Sequence, residues 1–313
     1  VKPSAKNWRE RFRRVVDCAV RLDEPLAGHT TFAVGGPAAL LAWVEDEAQL
    51  KEARRFLQAE GVPWRILGGG SNVLVADDGW PGAVLKLRGR LAEVRLLHEG
   101  SRVLEVEVGA GCTLARLLGW ATARGGGALG ALWGIPASLG GALKYNAGTR
   151  LGSVGELVVE AALLEENGVR RYRKESLRFG YRYSAVGRRR MVLNAVLRLP
   201  RWPREKIDRL MIEARALRAG QPRGARSAGC FFRNPTGHSA GQLIDRAGCK
   251  GWREGGAEVS EAHANFIVNR GGASAADILR LARRVAAEVY RKFGIRLRPE
   301  VELWGNFSGD RRP

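Results

Sequence analysis

A chain of 313 residues, 45% of them hydrophobic, is too long for one ordinary core and too apolar for disorder, so two or three packed domains are expected. Lys and Arg outnumber Asp and Glu by 52 to 32, and the net charge of +20 admits nucleic-acid binding; yet the basic residues are scattered, the densest run is Arg188-Arg189-Arg190, and no zinc-finger spacing, helix-turn-helix signature or aromatic RNA-binding motif is present. Four cysteines, Cys18, Cys112, Cys230 and Cys249, do not make a disulfide scaffold at this length, and no apolar run approaches the roughly 20 residues that cross a bilayer.

Val1 to Arg14 is polar and arginine-rich without the apolar stretch of a signal peptide, and reads as an exposed leader or a short helix. With the sparse cysteines, this points to a reducing cytoplasm. Ala38 to Val44 reads as a strand. Glu45 to Glu60 reads as a helix, with Leu50, Ala53 and Leu57 on one face. Trp64 to Leu67 and Val73 to Ala76 are short extended stretches on either side of a glycine loop. Val94 to Leu97 and Val103 to Val108 form a predicted strand pair, and Thr113 to Ala123 a helix. A glycine-rich, ordered loop is expected from Gly125 to Gly155. Strands resume at Leu157 to Leu164, Val169 to Tyr172 and Met191 to Leu197, and Pro200 and Pro203 mark a boundary. A helix near 204 to 218 carries Ile207, Leu210, Met211, Ala214 and Leu217 as its apolar stripe. A last helix spans about 275 to 292, begun by Ser274 with Asp277 three residues on. Ile295 to Leu303 alternates as a closing strand.

Four patterns carry chemistry. In Gly68-Gly69-Gly70-Ser71-Asn72 the glycines let backbone N–H groups converge on an anion, and a dinucleotide's pyrophosphate suits such a nest, although a tight turn between strands would use the same residues. The stretch is neither a Rossmann fingerprint nor a Walker loop. Gly134-Ile135-Pro136-Ala137-Ser138-Leu139-Gly140-Gly141, with Asn146-Ala147-Gly148 beyond it, is a second place where a ligand passing close to the backbone would explain the glycines. Gly237-His238-Ser239-Ala240-Gly241 matches the hydrolase nucleophile elbow. That elbow needs a strand running into the serine, whereas Asn234-Pro235-Thr236 reads as a turn, so Ser239 is taken as a helix start. Cys230, His238, Cys249 and His263 lack the short paired spacing of structural zinc, and no metal is expected.

Read in order, these segments resemble the UDP-N-acetylenolpyruvoylglucosamine reductase family. The resemblance runs through Thr30-Thr31-Phe32 with Gly35-Gly36, Leu67 to Asn72, Gly134 to Gly141, Asn146-Ala147-Gly148 and Tyr181-Arg182-Tyr183-Ser184. It continues through Ser227 to Pro235, Ala247 to Gly251, Val259-Ser260 with His263-Ala264-Asn265-Phe266, and Leu297-Arg298-Pro299-Glu300-Val301. The resemblance implies an α+β fold: a two-subdomain FAD-binding fold of the vanillyl-alcohol-oxidase/PCMH type and a C-terminal α+β substrate-binding domain. The ranges that follow are a leader at 1–22, FAD-binding subdomains at 23–88 and 89–200, the substrate-binding domain at 201–305 and a tail at 306–313. With no long insertion near the C-terminus, the chain is similar to the shorter version of the family.

The resemblance also implies reduction of UDP-N-acetylglucosamine enolpyruvate to UDP-N-acetylmuramate for peptidoglycan precursors. NADPH is the reductant, FAD is held non-covalently, the flavin N5 passes hydride to the enolpyruvyl methylene carbon, and a proton then quenches the adjacent carbon. The implied protein is a cytoplasmic monomer with no nucleic-acid partner. Gly68, Gly69, Gly70, Ser71, Asn72, Gly134, Ile135, Ser138, Gly140, Gly141, Asn146 and Gly148 are the expected cofactor contacts. Tyr181, Arg182, Asn234 and Lys250 are the expected substrate contacts. Arg182, whose planar fork suits a carboxylate, and Glu300 match the family's arginine and glutamate beside the developing enolate. Cys230 stands where the better-known pattern has a serine proton donor. A thiol, with an unperturbed pKa of about 8.5, gives up its proton more readily than a hydroxyl, so Cys230 is expected to be the general acid.

Overall fold

The computed structural model describes residues 7–187, 190–222 and 224–307; Arg188 and Arg189 of the basic run, and the outer parts of the leader and tail, lie outside these. The chain opens on α1 (Asn7–Val15), where Trp8 and Phe12 are buried among arginines that keep at least part of their surface, so the helix is the form this polar stretch takes. β1 (Ala19–Pro25), β2 (Pro37–Val44) and α2 (Glu47–Ala59) follow; Asp46 starts α2 by accepting from Gln49 N at 2.9 Å, and Leu50, Ala53 and Leu57 are its buried stripe. Next come β3 (Trp64–Ile66), β4 (Val73–Val75) and β5 (Trp80–Leu87), and a four-stranded sheet has the order β1-β2-β5-β3. β6 (Val94–Glu99), β7 (Val103–Gly109) and α3 (Leu114–Thr122) lead into the glycine-rich stretch. That stretch holds more regular structure than a loop: a 3-10 turn at Leu129–Leu132, α4 (Leu139–Lys144), the two-residue strands β8 (Gly148–Thr149) and β9 (Gly152–Ser153), and α5 (Val154–Leu157). β10 (Val158–Glu165), β11 (Gly168–Arg173), α6 (Lys174–Leu177), β12 (Met191–Pro200) and α7 (Arg204–Leu217) come next. The chain closes through α8 (Ala240–Arg246), β13 (Arg253–Glu254), β14 (Ala257–Val259), β15 (Ile267–Asn269), α9 (Ala275–Phe293) and β16 (Glu302–Trp304).

Two compact units divide this chain. The first takes the residues up to Val20, Ala42–Gly68 and Val84–Ala219, and the second Arg21–Leu41, Gly69–Ala83 and the chain from Gly220 onward. The first unit is built on an antiparallel sheet of order β11-β10-β12-β7-β6. Alternate residues Leu104, Val106 and Val108 of β7 join Ala195, Leu197 and Leu199 of β12, and Leu114, Leu117, Leu139 and Leu143 of α3 and α4 cover them. Each such buried leucine contributes about 1.5–3 kcal/mol relative to exposure.

The second unit packs α8 and α9 with the three-stranded sheet β13-β14-β15 and the parallel pair β4-β16. Ile278, Ala282, Val285 and Val289 recur at helical spacing along α9 and are buried. The Ser274–Asp277 capping box forms, and the Asp77 carboxylate adds acceptors for Ala275 N at 2.7 Å and Ala276 N at 3.0 Å. The predicted strand Ile295 to Leu303 shrinks to β16. Pro299 has no N–H for a ladder, and Arg298 O and Glu300 N are taken up singly by Arg233 N and Phe231 O. Among the described residues no helix is long and apolar enough to cross a membrane.

Candidate active site

In the first unit the site residues gather on the glycine-rich stretch. Ser138, 8% exposed, is the N-cap of α4 and its Oγ accepts from Gly141 N at 3.5 Å. Leu139 N and Gly140 N bind Cys112 O and Ala110 O, both at 2.8 Å, which seats α4 on the end of β7. A methyl group at Gly140 would press on Ala110 Cβ at 3.1 Å, whereas one at Gly141 would meet only Ser138 Oγ, at 3.6 Å, so another group can approach the backbone there. At the end of β3, Gly68 lies so close to Ser138 that any Cβ would overlap its Oγ. Gly134 is left-handed (φ +75°) with the Arg218 stem where its side chain would be, and Ile135 is half-buried against the core. Bare backbone and a small hydroxyl, with no carboxylate among them, are what a dinucleotide's diphosphate requires; these residues fit the flavin nucleotide that the sequence suggests.

Asn146 joins this stretch to the Tyr-Arg turn. Its Nδ2 donates to Gly180 O and its Oδ1 accepts from Gly155 N, both at 3.0 Å, from a left-handed backbone (φ +44°). Arg182, also left-handed (φ +52°), donates from Nη1 to Gly148 O at 3.2 Å, and its guanidinium lies 5.6 Å from the Tyr181 ring. Ser184 Oγ donates to Lys144 O at 3.0 Å. The structure thus brings Asn146, Gly148, Tyr181 and Arg182 together, with Tyr181 66% exposed and able to meet a ligand.

In the second unit the other half of the glycine loop meets the segment that carries Glu300. Gly70 is left-handed (φ +65°), its O accepts from Thr31 N at 3.1 Å and Thr31 Oγ1 at 3.3 Å, and a side chain there would overlap His29 O. Asn72 Nδ2 donates to Glu300 O at 3.3 Å, and Asn72 O accepts from Glu302 N at 3.0 Å. Cys230 and Glu300 come from sequence positions 70 residues apart yet lie on neighbouring segments: Cys230 bridges Phe266, Phe232 bridges Pro299, and Glu300 N donates to Phe231 O at 2.8 Å. Both side chains keep partial exposure.

Asn234 and Lys250 lie in the same unit in different settings. Asn234 is exposed, but its Oδ1 accepts from Ala240 N at 2.9 Å and so helps start α8. Lys250 pairs with Asp245 at 3.1 Å and is close enough to His263 to help hold that imidazole below the ordinary histidine range, an effect due first to burial. Ser239 is the N-cap of α8, accepting from Gln242 N at 3.4 Å, rather than a nucleophile on a strand-to-helix elbow. Cys249 is buried and its thiol is pushed up to about 11 by burial. Among the described residues no group of three or more His, Cys, Asp and Glu could hold a metal ion.

Comparisons with known proteins identify the family. The profile of the FAD binding domain matches residues 38–171, and that of the UDP-N-acetylenolpyruvoylglucosamine reductase C-terminal domain matches residues 221–304. The UDP-N-acetylenolpyruvoylglucosamine reductase of Heliobacterium modesticaldum is 44% identical over 290 residues, covering 91% of each chain. The chain belongs to the UDP-N-acetylenolpyruvoylglucosamine reductase family. A reductase of the same name from Bacillus subtilis is 39% identical over 290 residues, 91% of this chain and 94% of that one. The crystal structure of the Thermus caldophilus reductase superposes with a TM-score of 0.80 at 40% identity, over 92% of this chain and all of that one. The α+β reductase fold expected from the motifs, an FAD-binding part followed by a C-terminal domain, is therefore borne out. Asn265, which ties the Cys230 segment together, stands in the His-Ala-Asn-Phe motif, from which no role for it can be read.

Proposed function

We propose that this chain reduces UDP-N-acetylglucosamine enolpyruvate to UDP-N-acetylmuramate in peptidoglycan precursor synthesis, with FAD as non-covalent cofactor and NADPH as reductant. The observation that carries this reading is the presence, in one chain, of the FAD binding domain and the reductase's own C-terminal domain. Bound FAD supplies two-electron chemistry, taking hydride from NADPH and passing it on to the substrate. The rest falls to the protein. As hydride adds to the enolpyruvyl methylene carbon, the double-bond electrons move to the carbon bearing the carboxylate, and a proton must arrive there. Nothing leaves.

Arg182 grips that carboxylate through its fork and favours the charge as it develops, and Tyr181 lines the approach. Cys230 Sγ gives the proton, a role supported by its partial exposure on a segment adjoining Glu300, which assists beside the same carboxylate. The backbone at Gly68, Gly69, Gly70, Ser71 and Asn72, with Gly134, Ile135, Ser138, Gly140 and Gly141, holds the flavin nucleotide. Asn146 and Gly148 also contact the cofactor, and Asn234 and Lys250 take the UDP-sugar. The protein works in the cytoplasm as a monomer, without nucleic acid.

The test is direct. FAD-loaded protein given NADPH and the enolpyruvyl sugar yields a product heavier by two hydrogen atoms, seen by mass spectrometry. NADPH consumption without that product would contradict the proposal.

A further inference from the structure

The peptide segment that carries Cys230 is held by one buried side chain that the reaction scheme does not use. Asn265 is 2% exposed, and its amide faces the peptide groups of Phe232 twice: Oδ1 accepts from Phe232 N at 2.9 Å and Nδ2 donates to Phe232 O at 2.8 Å. The main chain adds a third link, since Asn265 O accepts from Phe231 N at 2.7 Å. A side-chain amide here does what a neighbouring strand would do, and it does so where only single bridges exist, at Cys230–Phe266 and Phe232–Pro299. Across the segment, Phe231 O takes Glu300 N at 2.8 Å and Arg233 N takes Arg298 O at 2.9 Å. Residues 230–233 are therefore clamped between 265–266 on one side and 298–300 on the other. Any slip of the Phe232 peptide shifts Cys230 and Glu300 relative to each other.

Asn265 is itself held. Its N–H donates to His263 Nδ1 at 3.2 Å, and the His263 ring meets the Phe266 ring edge to face at 4.9 Å. Only an amide of this length serves the clamp. Aspartate could accept from Phe232 N but has no donor for Phe232 O, and alanine offers neither.

We infer that Asn265 is a positioning residue for the proton-delivering step, setting Cys230 and Glu300 in register through its two bonds to the Phe232 peptide. The inference rests on the reading of Cys230 as proton donor. The experiment uses the full-length, FAD-loaded chain with Asn265→Asp and Asn265→Ala, each also combined with Cys230→Ala, in anaerobic stopped flow. Two rates are read: flavin reduction by NADPH and flavin reoxidation by the enolpyruvyl sugar. In the single Asn265 variants reduction stays within about twofold, while reoxidation slows on the order of 10- to 100-fold, as a misplacement near 1 Å does. Because Asn265 acts through Cys230, adding either substitution to Cys230→Ala slows reoxidation no further. Additive losses in the double variants, equal losses in both half-reactions, or loss of the folded, flavin-loaded state in both single variants would each overturn the inference. Unchanged reoxidation in Cys230→Ala alone would instead reject the proton-donor reading.

Discussion

Asn146 separates a structural from a cofactor-contacting role, and its substitution can be worked through bond by bond. The side chain makes two part-buried hydrogen bonds, to Gly180 O and from Gly155 N, and the backbone is left-handed. Two such bonds are together worth about 1–3 kcal/mol, and placing alanine in the left-handed region costs a further ~1–2 kcal/mol. Asn146→Ala should therefore lose about 2–5 kcal/mol, and Asn146→Gly, which accepts the backbone, only the hydrogen-bond part. At about 2–4 °C per kcal/mol for a chain of this size, the alanine variant melts on the order of 4–20 °C lower, with glycine between it and the wild type. Calorimetry of the apoprotein is the assay, since it leaves the cofactor out of the comparison. Equal melting of the two variants would refute the backbone argument. Unchanged melting with lost FAD binding in both would show that Asn146 meets the cofactor directly.

Other outcomes follow from the same structure. Gly68→Ala sets a methyl group against Ser138 Oγ and weakens FAD binding, measured by flavin retention; adding Ser138→Ala restores part of it by clearing the overlap. Glu258 is buried and gripped by Arg270 at 2.6 Å and Arg253 at 2.7 Å, with hydrogen bonds from Arg270 first holding its carboxyl below the usual range. A lowered folded value means stability that is present above the unfolded pKa of ~4.3 and is lost as pH falls through the folded value, so wild type should lose more unfolding free energy than Glu258→Gln between about pH 5 and about pH 3. Alkylation of the native protein near neutral pH, mapped by mass spectrometry, should reach Cys230 first. Cys112 and Cys249 are buried, and burial pushes the thiols of Cys18 and Cys249 up to about 11.

The long helices were legible because each carries its own signals. In α9 the Ser274–Asp277 box and the stripe from Ile278 to Val289 agree, and in α2 the Leu50–Ala53–Leu57 face is enough. β1 was not legible: its residues alternate between exposed and half-buried, with no apolar face to betray it. Nor were α4, β8 and β9, which are two to six residues long and rich in glycine, so tertiary contacts rather than propensity define them. Ile295 to Leu303 misled by alternation alone, because its pairing with residues 231–233 stops at the single Phe232–Pro299 bridge and Pro299 has no N–H to donate.

The same split holds in the site. Cys230, Arg182 and Glu300 stand in motifs, and the chemistry of each residue type names its part. Asn265 also stands in a motif, but its bracing role is not visible there, because its partners Phe231 and Phe232 lie more than 30 residues away in sequence. Asn146 was expected as a cofactor contact, and its side chain also braces two backbone groups that no local pattern reveals.

The most direct test of the account is the absorbance of the purified, FAD-reconstituted protein under anaerobic conditions, first with NADPH and then with UDP-N-acetylglucosamine enolpyruvate. The account predicts a flavin band that bleaches with NADPH and returns when the enolpyruvyl sugar is added. A protein that takes up no flavin, or a bleached band that the sugar fails to restore, would contradict it.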